Sequence, residues 1–67
     1  MNDYQLKVDG TLVETLYNEE EALSKAEKLL EYRKESVFVY LNGKPFRRFL
    51  NKQDIARLEY FGIIDWG

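Results

Sequence analysis

The sequence contains neither cysteine nor histidine. It therefore lacks the residues for a disulfide, for a zinc site built on thiolate or imidazole, and for a triad with a histidine base or a cysteine nucleophile. No apolar run approaches the roughly 20 residues of a membrane span. The first residues, Met-Asn-Asp-Tyr, also lack the basic and apolar regions of a signal peptide. We expect a cytoplasmic protein without a membrane segment.

Proline and glycine are scarce, with one and four copies. A disordered chain would contain more of both and fewer apolar residues, whereas this one is 45% hydrophobic and 15% aromatic. Its 67 residues leave no room for a second core. Residues 1–67 are therefore expected to form a single compact domain.

Charge is distributed unevenly along the chain. Residues 1–35 contain nine acids and five bases, while residues 36–67 contain three acids and five bases, so the two halves carry −4 and +2. The net charge of −2 argues against nucleic acid as a partner, because nucleic-acid-binding domains are usually basic.

Two short turn signals divide the chain into hairpins. Asp9-Gly10 and Asn42-Gly43 each separate strand-like segments, and both pairs tolerate the positive φ angles of a type I′ turn. The predicted strands are residues 4–8 and 11–17 in the first hairpin, and 36–41 and 44–50 in the second. Pro45 cannot donate a ladder hydrogen bond, which favours an edge position for the last of these strands.

Residues 18–34 have the pattern of a capped helix. Asn18 suits the N-cap, and Glu21 stands three residues later, as in a capping box. Apolar residues then recur at helical spacing: Ala22, Leu23, Ala26, Leu29 and Leu30. A second, short helix is predicted to begin after Asn51, followed by an apolar tail at residues 63–67.

Together these elements predict an α+β fold: an antiparallel sheet of about four strands, in the order hairpin, helix, hairpin, with a short C-terminal helix or tail. A single helix covers one face of such a sheet. The tail either docks on its own sheet or contacts a partner, and the sequence leaves both open.

Two-residue turns also predict which side chains share a face. In the first hairpin Leu6 would oppose Val13, unless a bulge shifts the register. In the second hairpin Phe38, Tyr40, Arg47 and Phe49 would share the face that the helix leaves uncovered. Tyrosine, tryptophan and arginine are enriched at interface hot spots. The predicted partner-binding surface is therefore this: Phe38, Tyr40, Arg47, Phe49, Tyr60, Phe61, Ile64 and Trp66.

Three alternatives stand beside this surface. The aromatic residues can simply complete the core, with the bases as a solvated rim. The same surface can join two copies in a homodimer. Finally, Arg47, Arg48 and Lys52 can bind a phosphorylated ligand or nucleic acid.

Catalysis has little support in the sequence. We find no phosphate-binding glycine loop, no metal-binding pattern and no carboxylate pair with a specific spacing. We therefore predict no enzymatic activity, no cofactor and no metal.

The segment from Leu16 to Ala26, in which a strand runs into an acidic turn followed by Ala-Leu and Ala, resembles an element of small bacteriophage proteins. It is similar to phage inhibitors of host or defence enzymes, which are small and acidic. The resemblance covers about a third of the chain, and the second hairpin and apolar C-terminus depart from it. It implies a protein-binding module that occupies a surface on a host factor, with no functional residues carried over.

Overall fold

The computed structural model describes the backbone of residues 2–58 and 63–65, and the side chains of residues 2–56. It confirms the α+β class. In chain order the elements are β1 (Tyr4–Val8), β2 (Thr11–Leu16), α1 (Glu19–Arg33), β3 (Val37–Leu41), β4 (Lys44–Phe49), α2 (Lys52–Leu58) and β5 (Ile63–Asp65).

Both hairpin turns have the backbone that their sequences predict. The φ angles are 52° at Asp9 and 77° at Gly10, and 51° at Asn42 and 84° at Gly43. A type I′ turn needs positive φ at both central residues, which asparagine, aspartate and glycine tolerate better than other residues do.

The strands form one antiparallel sheet in the order β2-β1-β3-β4-β5. The central pairing of β1 with β3 joins the two hairpins. Part of the predicted tail, β5, adds a fifth strand by pairing with Arg47–Phe49. The prediction that β4 is an edge strand is therefore wrong along Arg47–Phe49, while Pro45 precedes the paired segment.

Helix α1 is capped at both ends. The Asn18 side chain accepts a hydrogen bond from the Glu21 amide at 3.1 Å, as the sequence predicts. At the other end Lys34 adopts a left-handed conformation, with φ of 60°, and its amide donates to the Leu30 carbonyl at 2.9 Å. Glycine usually occupies this position.

The core lies between α1 and one face of the sheet. Alternate residues of β1 and β3 point into it, and two alanines of α1 let the helix approach the strands closely. The buried apolar residues of this cluster are Tyr4, Leu6, Val8, Ala22, Ala26, Val37, Val39 and Phe49.

A bulge interrupts each hairpin. In the first, Leu6 opposes Glu14, and Leu16 takes the place opposite Tyr4. The predicted pairing of Leu6 with Val13 is therefore wrong by one residue, because Val13 is the extra residue of the bulge. In the second hairpin Val39 opposes Arg47 and Tyr40 opposes Pro45, which makes Phe46 the extra residue.

Ser36 anchors the start of α2. Its hydroxyl donates to the Asp54 carboxylate and accepts a hydrogen bond from the Asn51 amide at 2.9 Å. The Asn51 side chain caps α2 by accepting from the Asp54 amide at 2.8 Å, and it donates to the Lys34 carbonyl at 3.0 Å. The second helix is thus tied to the strand that begins at Val37.

The two turns offer a matched pair of substitutions. Asn42→Ala and Asp9→Ala both place alanine at positive φ, but Asn42 also accepts from the Asp3 amide at 2.9 Å and donates to Asn2 at 3.1 Å. We expect Asn42→Ala to lower the free energy of unfolding by about 1 kcal/mol more than Asp9→Ala does. Urea unfolding measures both; equal losses would show that these hydrogen bonds contribute nothing.

The Ser36 anchor is testable by Ser36→Ala. Ser36 is only 7% exposed, so the substitution leaves the Asn51 amide without this acceptor in a part-buried site. We expect a loss of about 1–3 kcal/mol in unfolding free energy, together with faster hydrogen exchange in α2. Ser24→Ala, at an exposed position of α1, is the control. Equal stability of the two variants would contradict the anchoring role.

Candidate functional site

The candidate site is the side of the sheet opposite α1, which we call the far face. Strand alternation assigns residues to it, because the neighbours of buried core residues point the other way. Its described members are Gln5, Lys7, Leu12, Thr15, Phe38, Tyr40, Pro45 and Arg48.

Aromatic and cationic side chains alternate across this face. Lys7 of β1 opposes Phe38 of β3, which in turn opposes Arg48 of β4. The Lys7 ammonium lies 4.5 Å from the centroid of the Tyr40 ring, a cation–π distance. All four side chains are partly exposed. The arrangement places two cations and two rings within one short patch.

The described charges of the far face have one sign. Among its members from β1 to β4 the only charged residues are Lys7 and Arg48. The acidic residues of α1 lie on the other side of the sheet. This separation creates a molecule with an acidic helix and a basic, aromatic sheet face, although its net charge is small.

The second bulge divides the residues predicted to share the partner-binding surface. Phe38 and Tyr40 lie on the far face, as predicted. Phe49, however, opposes Val37 and is only 2% exposed, so it belongs to the core. Arg47 opposes Val39 on the α1 side. Its guanidinium carbon lies 4.3 Å from the centroid of the Phe46 ring, which packs 5.8 Å from the Tyr4 ring.

The physical reason for this correction is the extra residue Phe46. Without a bulge, Arg47 and Phe49 would align with Phe38 and Tyr40. One added residue before Arg47 turns both side chains to the opposite face. The same shift brings Arg48, which the prediction assigned only to the phosphate alternative, onto the far face.

The predicted phosphate site is not assembled as one cluster. Arg47 and Arg48 project from opposite faces of β4, and Lys52 begins α2. A phosphate group would need these donors to converge on one point. The register does not bring them to one side of the sheet.

The tail residues of the predicted surface fall mostly beyond the described part of the chain. Tyr60, Phe61 and Trp66 lie outside it. Ile64 belongs to β5, where its backbone opposes Arg48. Residues 63–65 thus pair with the edge of the protein's own sheet through their backbone. Of the two possibilities left open by the sequence, docking on its own sheet is the one these three residues adopt.

Sequence reasoning missed Lys7 and Leu12 as members of the site. The sequence does indicate the direction of the Lys7 side chain, because Lys7 lies between the apolar residues Leu6 and Val8 in an alternating strand and so points away from the core. Its partner Tyr40 could not be assigned without the pairing of β1 with β3. Leu12 lies opposite Lys7, as the Asp9-Gly10 turn predicts, but its half-exposed state depends on the position of β2 at the edge of the sheet.

A groove of about 470 Å³ separates the end of α1 from the start of α2. Leu30, Leu50 and Ile55 are its apolar lining residues, and Lys34 and Lys52 also line it. Nearby, Ser36 and Asp54 form a hydroxyl–carboxylate pair. The Ser36 oxygen also accepts from the Asn51 amide and Ser36 is a buried residue, so this pair acts as an anchor for α2.

Within the described residues no helix is both long and apolar enough to cross a bilayer. The same residues contain no group of three or more acidic side chains arranged to hold a metal ion. Comparisons with protein-family models, with curated proteins and with solved structures found no significant match. The far face is therefore interpreted from its own chemistry.

Proposed function

We propose that this protein is a non-enzymatic protein-binding module that uses its far face to occupy an acidic surface of a partner protein. The observation that supports this proposal is the row Lys7, Phe38 and Arg48 across three adjacent strands, with Tyr40 beside it. Aromatic residues and arginine are the side chains enriched in interfaces, and they contribute most of the energy at hot spots.

The sign of the charge favours an acidic partner over a second copy in this position. If two far faces met, Lys7 and Arg48 of both copies would enter the same contact. Like charges brought together in an interface cost binding energy. An acidic partner would instead bring the opposite charge to this face, and its approach would be accelerated by long-range attraction.

The partner class that we propose is an enzyme of a host or of a defence system, which the module inhibits by covering a functional surface. The support is the resemblance of Leu16–Ala26 to small phage inhibitors. We also predict that the tail residues Tyr60, Phe61 and Trp66 contact the same partner.

Charge reversal on the two faces of the sheet tests the proposal. Lys7→Glu changes the far face, while Lys44→Glu changes an exposed lysine opposite Leu41, on the α1 side. We expect the Lys7 variant to bind the partner at least about tenfold more weakly, equivalent to about 1.4 kcal/mol, and the Lys44 variant to bind as the wild type does. Binding of the wild type should weaken as salt is raised.

Immobilised wild type and both variants, exposed to the same host lysate, provide the measurement. Proteins enriched by the wild type and the Lys44 variant, but lost with the Lys7 variant, are identified by mass spectrometry and titrated in purified form. Thermal unfolding of the three proteins controls for folding. If all three proteins capture the same partners equally, the far face is not the binding surface. If a captured enzyme keeps full activity when saturated with the wild-type protein, the module is not its inhibitor.

A further inference from the structure

The two edges of the sheet are protected very differently. Near one edge β4 contains Pro45, a bulge and two arginines, and β5 covers its second half as the outermost strand. At the other edge β2 has the sequence Thr-Leu-Val-Glu-Thr-Leu, with one bulge and one charged residue. Edge strands in natural proteins are usually shielded by lysine, proline or a covering element, because their outward amides and carbonyls can pair with another strand.

Exposed apolar side chains concentrate at the same edge. Of the four large hydrophobic residues exposed in the described part of the chain, three lie on β2 or directly after it: Leu12 at 50%, Val13 at 38% and Tyr17 at 63% exposure. The fourth, Tyr32, is on α1. An edge with free backbone groups and exposed apolar residues is suited to pairing with another strand.

We propose that β2 pairs with β2 of a second copy, antiparallel and about a two-fold axis, to form a homodimer with a continuous sheet. Antiparallel pairing of identical edges is self-complementary, as a two-fold interface requires. The only charged residue of β2 is Glu14, and its Oε1 atom lies 3.6 Å from Nζ of Lys25 in the same chain. Because this ion pair compensates the acid, two neighbouring β2 strands would not repel each other through their glutamates.

Charges beside β2 also complement each other under this symmetry. A groove of about 420 Å³ between β2 and α1 is lined by Glu20 and Glu21 towards the start of the helix, and by Lys25 and Lys28 one to two turns later. A two-fold axis at the middle of β2 runs the two helices in opposite directions on the same side of the sheet. The acidic end of each groove then faces the basic end of the other.

This interface leaves the far face of each copy uncovered by the other, because a two-fold axis perpendicular to the sheet keeps the faces aligned. Two five-stranded sheets would join as ten strands. The dimer is therefore independent of the proposed partner-binding surface, and each can fail without the other.

The first test compares Val13→Lys with Tyr32→Lys in sedimentation experiments. Both replace an exposed apolar residue by lysine, but only Val13 lies on β2. We expect the wild type and the Tyr32 variant to be dimers at high micromolar concentration, and the Val13 variant to dissociate at least about tenfold more readily, because lysine on an edge strand opposes pairing with another strand. Circular dichroism controls for folding. A monomeric wild type, or a Val13 variant that dimerises like the Tyr32 variant, would overturn the proposal.

The second test uses charge exchange between copies. Glu21→Lys and Lys28→Glu each place like charges across the two-fold axis in their own dimers, whereas a mixture of the two variants restores opposite charges. We expect each variant alone to dimerise several-fold more weakly and the mixture to form heterodimers preferentially. Random pairing in the mixture, or hydrogen exchange in β2 that does not slow as concentration rises, would contradict pairing through this edge.

Discussion

The antiparallel pairing of β1 with β3 is the interaction on which the rest of the structure depends. Each hairpin alone has too little surface to be stable in water. Pairing Leu6 with Val39 and Val8 with Val37 brings four buried side chains into one layer, which α1 then covers with its alanines. The chain between the hairpins must cross from one to the other, and α1 is that crossing. A short chain thus uses α1 both as the connection between its hairpins and as the cover of its core.

Local chemistry was sufficient to predict the elements from β1 to α2. The Asp-Gly and Asn-Gly turns require positive φ whatever surrounds them, and both have it. The Asn18 cap acts within four residues and was also predicted correctly. What these features share is that each depends on neighbours in the sequence and on little else. The short pairing of β5 with β4 depended on residues far apart, and the sequence left it open.

The bulges are where the predicted assignment of side chains to the two faces of the sheet was wrong. A two-residue turn determines the register beside it, so the pairing of Tyr40 with Pro45 and Leu41 with Lys44 follows from Asn42-Gly43. Beyond that point Phe46 and Phe49 compete for burial under α1. The bulge places both side chains on the α1 side of the sheet. Phe46 then packs against the Tyr4 ring, and Phe49 lies in the core. Such a choice is made by tertiary packing, which no pattern along β4 expresses.

The same bulge gives the far face its charge. Were β4 regular, Arg47 and Phe49 would lie on this face and Arg48 on the α1 side. A core of this size needs Phe49, because aromatic rings bury the most area per residue. Bringing Phe49 into the core necessarily turns Arg48 onto the far face, opposite Phe38 and in line with Lys7. The stability of the core and the chemistry of the proposed binding surface are therefore two consequences of one register shift.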